Sequence, residues 1–262
     1  MGSVHEMRGS RANLRLSPVF LAILGATVLC GLVVWRYGNT IEKPARLALF
    51  GLVIGAWIIS LCLHEFGHAY LAHRSGDDSI ATKGYLTMDP RKYTDPILSF
   101  AIPVLFILLG GIGLPGGAVW IDRSKIPGRL RHSFVSAAGP LANLTFALVL
   151  AAAVNGLGED DHKVFWSGLA FLTFLQVTAA LLNLLPIPGL DGFGIVEPYL
   201  PRPWVRKANE IGGYAFFILI ALLWLGPVNR AFFDTVFHLT DLLGVEGLPI
   251  EIGHQLFRFW QS

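Results

Sequence analysis

Residues 47–68 read LALFGLVIGAWIISLCLHEFGH, an apolar run that ends in His64-Glu65-Phe66-Gly67-His68. The run is long and uncharged enough for a membrane-spanning helix, yet it closes on two imidazoles and a carboxylate. Residues four apart lie about 40° apart around a helix, so both histidines can face one metal ion. The H-E-x-x-H pattern is one that binds zinc on a helix, with its glutamate as general base. Ionisable groups at bilayer depth are costly and mark functional sites by default. A solvated surface pair, the ordinary reading of such a match in a soluble helix, has little room here.

The rest of the chain agrees with a bilayer as its solvent. Of 262 residues, 53% are hydrophobic and only 15% charged, and mean hydropathy is +0.57. Soluble domains carry about a quarter charged residues, so the composition predicts one polytopic membrane domain. A net charge of +2, with no basic patch interleaved with aromatics, gives no sign of nucleic acid as a partner. Cys30 and Cys62 both fall inside apolar runs without metal-ligand spacing and read as small buried hydrophobes.

Apolar runs occupy 18–35, 46–72, 96–114, 134–157, 164–185 and 212–225. The first ten residues, MGSVHEMRGS, look like an added leader, with Met7 an alternative start, and are set aside from the fold. Run 18–35 is too long for a signal-peptide core and lacks an Ala-x-Ala site, so it reads as a retained span. Short β-favouring pieces at 80–82, 84–87 and 118–121, bounded by Gly and Pro, predict a small strand element. Residues 228–245 alternate apolar side chains with Arg230, Asp234, His238 and Asp241, which suits an amphipathic helix lying in the interface.

Two further constellations carry polar groups into the apolar runs. Asn183-Leu184-Leu185-Pro186-Ile187-Pro188-Gly189-Leu190-Asp191-Gly192 closes one run with two prolines and delivers a carboxylate. Alone it is an ordinary helix stop and turn. Beside H-E-x-x-H, Asp191 completes a set of two imidazoles and a carboxylate that leaves a fourth zinc position for water. Gly139-Pro140-Leu141-Ala142-Asn143 combines small residues that permit close helix packing with one strongly polar side chain. Asn143 is either interhelical glue or a hydrogen bonder facing a substrate.

In this order the three motifs resemble those of the site-2 protease family of intramembrane zinc metalloproteases. The resemblance covers roughly residues 45 to 200. It implies one catalytic zinc ion held by His64, His68 and Asp191, with Glu65 taking a proton from water and passing it to the leaving amine. It further implies Asn143 or Asn183 steadying an oxyanion or an unwound substrate backbone. The partners it implies are transmembrane protein substrates and the lipid bilayer; it assigns no oligomeric state. The stretch between the zinc motifs is too short for an inserted PDZ domain, and no CBS region follows, so the chain looks like a compact member. Other functions fit less well. A transporter would show paired polar helices in two related halves, and a non-catalytic scaffold would be expected to have lost Glu65 or a ligand.

One metal must also be reachable by both motifs. If all six runs span, Lys and Arg divide ten and ten, and the ends of the His64 and Asp191 helices fall on opposite faces. If 96–114 enters and returns without crossing, the division becomes fourteen against six, and both ends share the positively charged, cytosolic side. Irregular backbone at depth is tolerable where protein or a water-filled cavity surrounds it. Residues 79–121 are then expected to form strands and a re-entrant loop roofing the site, with an exposed edge for an added substrate strand. The expected fold is an all-α polytopic membrane protein of about five to six transmembrane helices with that small β-strand and re-entrant element beside the site. Its divisions are a cytosolic segment 1–17, an intramembrane metalloprotease domain 18–226 and an interfacial region 227–262. The expected location is a bacterial plasma membrane, with the N-terminus and the site's opening cytosolic.

Overall fold

The computed structural model describes residues 16–93 and 119–261. Helix α1 (Pro18–Tyr37) begins at Ser17, whose hydroxyl accepts the Phe20 amide at 3.0 Å, a cap worth about 1 kcal/mol. Helix α2 (Lys43–Ser75) carries H-E-x-x-H in its C-terminal half. After the short α3 (Ser79–Lys83) and the excursion that follows come α4 (Arg129–Leu157) and α5 (Lys163–Asn183). They are joined by the turn Asp160–His162. Then follow the short α6 (Asp191–Val196), α7 (Arg202–Trp224), α8 (Gly226–Leu242) and α9 (Gly247–Phe257). Among the described residues, four helices are long and apolar enough to cross a membrane: α1, α2, α4 and the stretch containing α5.

These four divide by how much of their surface the protein covers. Helix α5 is apolar on all sides through its middle, and the polar side chains there, Thr173, Gln176 and Thr178, are fully buried, as expected of a helix at the centre of a bundle. Helix α1, by contrast, leaves Leu21, Val28, Leu29 and Leu32 exposed, as a span with one face toward lipid would. It holds to α2 through a small-residue seam. A Cβ on Gly51 would come within 2.7 Å of Cys30 Sγ, and one on Gly55 within 3.1 Å of Thr27 Cβ. Gly51-x-x-x-Gly55 thus lets two backbones approach where lipid offers no hydrophobic driving force.

The main core joins α2, α4, α5, α8 and α9, with Trp57, Phe171, Leu175, Val236 and Phe257 buried together. Residues 228–245 are helical over most of their length, as expected, and α8 lays Phe233 and Phe237 on Phe174 of α5. Within the aromatic cluster 257–260, Trp260 is exposed but Phe257 lies in the core. Phe257 is fully buried between Phe50 and Phe171, because Gly253 brings α9 against the Ser167 carbonyl. The Arg46 guanidinium donates to the Gln255 carbonyl at 3.1 Å, placing a cation at the negative end of α9.

The expected strands are not found: among the described residues there is no strand. Residues 80–82 lie in α3, and Tyr85–Thr87 form a 3-10 turn. Local hydrogen bonding decides this. The buried Asp77 carboxylate accepts both the amide and the hydroxyl of Ser79 at 3.1 and 2.6 Å, which starts a helix, and Gly84 ends it with φ +74°. Residues 119–122 have no regular secondary structure, and the re-entrant assignment at 96–114 lies outside the described residues. The two ends of the excursion nevertheless meet. Gly76 sits so close to the Lys125 carbonyl that a Cβ would approach it to 2.8 Å, and Asp77 Oδ2 accepts the Asp122 amide at 2.7 Å. The chain therefore leaves α2 and returns toward α4 on one side of the bundle. Run 212–225 forms the second half of α7.

Candidate metal centre

His64 and His68 project from α2 toward α4, which runs antiparallel to it: His68 meets Val135, and His64 meets Asn143. Asp191 arrives from the other direction. Helix α5 stops at Asn183, the Pro186–Pro188 stretch turns the chain, and Gly189 takes φ +96°. Gly192 then tucks α6 against the carbonyls of Leu184 and Leu185, where no side chain would fit. That turn sets Asp191 Oδ2 3.2 Å from His64 Nε2 and Oδ1 3.3 Å from His68 Nε2. The two Nε2 atoms are 3.1 Å apart. Of the described residues, these three form the group that could hold a metal ion.

The donor set fits zinc on three counts. Ligands about 2.0–2.2 Å from one tetrahedral ion stand about 3.3 Å from each other, which matches all three separations. The rings are also presented the right way round. His64 Nδ1 lies 2.6 Å from Asn143 Oδ1 and His68 Nδ1 lies 2.7 Å from the Val135 carbonyl, so each Nδ1 donates and each Nε2 offers its lone pair. Two lone pairs and a carboxylate converging this closely repel one another unless a cation lies among them. Finally, Gly139 keeps that space clear: a Cβ there would crowd both Nε2 atoms and stand 2.6 Å from His64 Cε1.

Glu65 is buried beside this group, with Oε1 4.0 Å from His64 Nε2. Val119 of the returning segment hydrogen-bonds the carboxylate through its backbone, and Oε2 has no hydrogen-bond partner among the described residues. The segment is held over Glu65 by Asp77 and by Lys83, whose ammonium lies 3.8 Å from the Trp120 ring centre. Asn143 is buried on α4 and ties three helices together. It accepts from His64 of α2, and its Nδ2 donates to Gln176 Oε1 of α5 at 2.8 Å. Asn183 is buried at the end of α5 and makes no hydrogen bond to the three-residue group. Gln176 escaped the sequence reading, although an amide in the middle of run 164–185 is a signal of the same kind as Asn143.

Comparison with known proteins agrees with this centre. No family model matches the chain, and no solved structure does. It is 46% identical over 257 residues, 98% of its length and 99% of the relative's, to a protein of Mycolicibacterium smegmatis named "Putative zinc metalloprotease Rip2". The protein of that name in Mycobacterium tuberculosis is 47% identical over 253 residues, 96% of this chain and 97% of the relative. The similarly named YwhC of Bacillus subtilis is 32% identical over 188 residues, 67% of this chain and 81% of the relative. Apolar helices around a buried zinc-type donor set, with relatives so named, define a membrane zinc metalloprotease. The chain belongs to the site-2 protease family of intramembrane zinc metalloproteases.

Proposed function

We propose that this protein hydrolyses peptide bonds within the transmembrane segments of other membrane proteins. His64, His68 and Asp191 hold the zinc ion, and Glu65 is the proton-transferring base. What most supports this reading is a carboxylate buried beside two Nε2 atoms and Asp191, on a helix long and apolar enough to cross the bilayer. Zinc, when bound, polarises a carbonyl and brings the pKa of water toward about 7. Glu65 accepts the proton of the attacking water at Oε2 and delivers it to the leaving nitrogen, a role typically worth about 10²–10⁴ in rate. Asn143 acts one step removed, fixing the tautomer and orientation of His64. Asn183, at the end of α5 next to the Asp191 turn, is placed to hold an unwound substrate backbone. The site opens to the cytosol of a bacterial cell, the side where α2 and α5 end.

The test is cleavage of a candidate membrane substrate by the purified protein in liposomes, with zinc content measured in parallel. Glu65→Gln is expected to keep one zinc and lose at least about a hundredfold in rate, and Asp191→Ala to lose zinc as well. Full proteolysis by Glu65→Gln would overturn the assignment of the base.

A further inference from the structure

A cavity of about 990 Å³ opens between the first turn of α4 and the first turn of α7. Arg123, Arg129, Arg202 and Arg206 line it, with His132 beside them, against only Glu197 and Glu210. Arg123 is engaged: it donates to Ser136 Oγ at 3.0 Å and lies 3.6 Å from Glu197. Arg129, Arg202 and Arg206 have no carboxylate in ion-pair range among the described residues. Helix α4 also begins after Gly128 without a side-chain cap, so its first backbone amides add to the positive field. Several arginine forks beside one helix start make a site for a phosphate-type anion.

The surroundings say where that anion comes from. Helix α4 is a membrane-crossing candidate, and the cavity lies at the level where it begins. Immediately past Arg129, Leu130 and Phe134 are 61% and 55% exposed, and Trp204, between Arg202 and Arg206, is 71% exposed. Exposed aliphatic and aromatic side chains beside arginines at the end of a span mark headgroup depth. Pro198, Leu200 and Val205 give the cavity an apolar wall, which a free phosphate would not use. From this geometry we infer that the cavity binds the phosphate-bearing headgroup of an anionic phospholipid.

Such a lipid is held by several cations at once, each contributing to retention over a zwitterionic lipid. The experiment uses the full zinc-loaded chain in nanodiscs of phosphatidylcholine alone or with a minor fraction of phosphatidylglycerol. Lipid kept on extraction into mild detergent is identified by native mass spectrometry. Phosphatidylglycerol is expected to be retained preferentially, with retention falling roughly fivefold for each arginine neutralised in Arg206→Gln and in Arg202→Gln/Arg206→Gln. Lys163→Gln, at the other end of the bundle, is expected to leave retention unchanged. One zinc per chain in every variant shows that the fold is intact, and no cleavage assay is involved, so the result stands apart from the proteolytic reading. Equal retention of the two lipids, or wild-type retention by the double variant, would overturn the inference. So would displacement of the lipid by millimolar inorganic phosphate, which would assign the cavity to a free anion.

Discussion

Gly139 contributes no ligand, yet a hydrogen atom in place of a side chain there keeps two imidazoles within reach of one ion. Gly139→Ala is expected to bring zinc from one per chain to near none while helix content is retained, because Pro140 and the rest of α4 keep their packing. Elemental analysis beside circular dichroism checks both halves; full zinc occupancy would mean that the histidines can shift aside. At this scale the sequence was informative wherever spacing along one helix does the work. His64 and His68 share a face by periodicity, and Asp191 stands out as a carboxylate after a helix stop. What periodicity does not encode is which helix lies opposite. That His64 Nδ1 is met by Asn143, and Asn143 by Gln176, depends on the register of three helices, so Asn143 read as either glue or substrate contact.

Between elements, approach distance matters more than polarity. Helix α1 is bound to α2 largely where Gly51 and Gly55 let Cys30 and Thr27 sit on the α2 backbone. Gly55→Val is expected to force the pair apart and to lower stability by about 1–3 kcal/mol, the usual range for overpacking. The measurement is a thermal midpoint in detergent, where an unchanged value would show that α1 is not tightly seated. Of the six apolar runs, those at 18–35, 46–72, 134–157 and 164–185 were legible as spans in hydropathy, because length and apolar content alone define them. The strands were not, since three or four β-favouring residues have no pairing partner to hold them, and the carboxylate of Asp77 recruits the same stretch into a helix.

Across the whole molecule, the metal group draws on α2 and on the turn after α5, and hydrogen bonds from α4 orient it. Binding there favours the assembled bundle over any state in which those elements separate. Chelation is therefore expected to lower the thermal midpoint, and zinc to restore it, with about 2.7 kcal/mol gained at a free concentration a hundred times the dissociation constant. An unchanged midpoint would place the ion outside the bundle's cooperative unit. The requirement that both motifs end on one side, read from the metal's needs, is met by the 3.2 and 3.3 Å approaches of Asp191. The meeting of Gly76 and Lys125 adds that the excursion between α2 and α4 starts and finishes at that side.

The wide separation of the proposed ligands also has a consequence in time. His68 and Asp191 are 123 positions apart, and a ribosome adding about 5–20 residues per second needs roughly 6 to 25 seconds to cover that distance. Throughout that interval Glu65 and both histidines have been made but the third proposed ligand is missing. The proposed reactive centre thus cannot assemble until the helices that enclose it, and the turn that carries Asp191, have been synthesised.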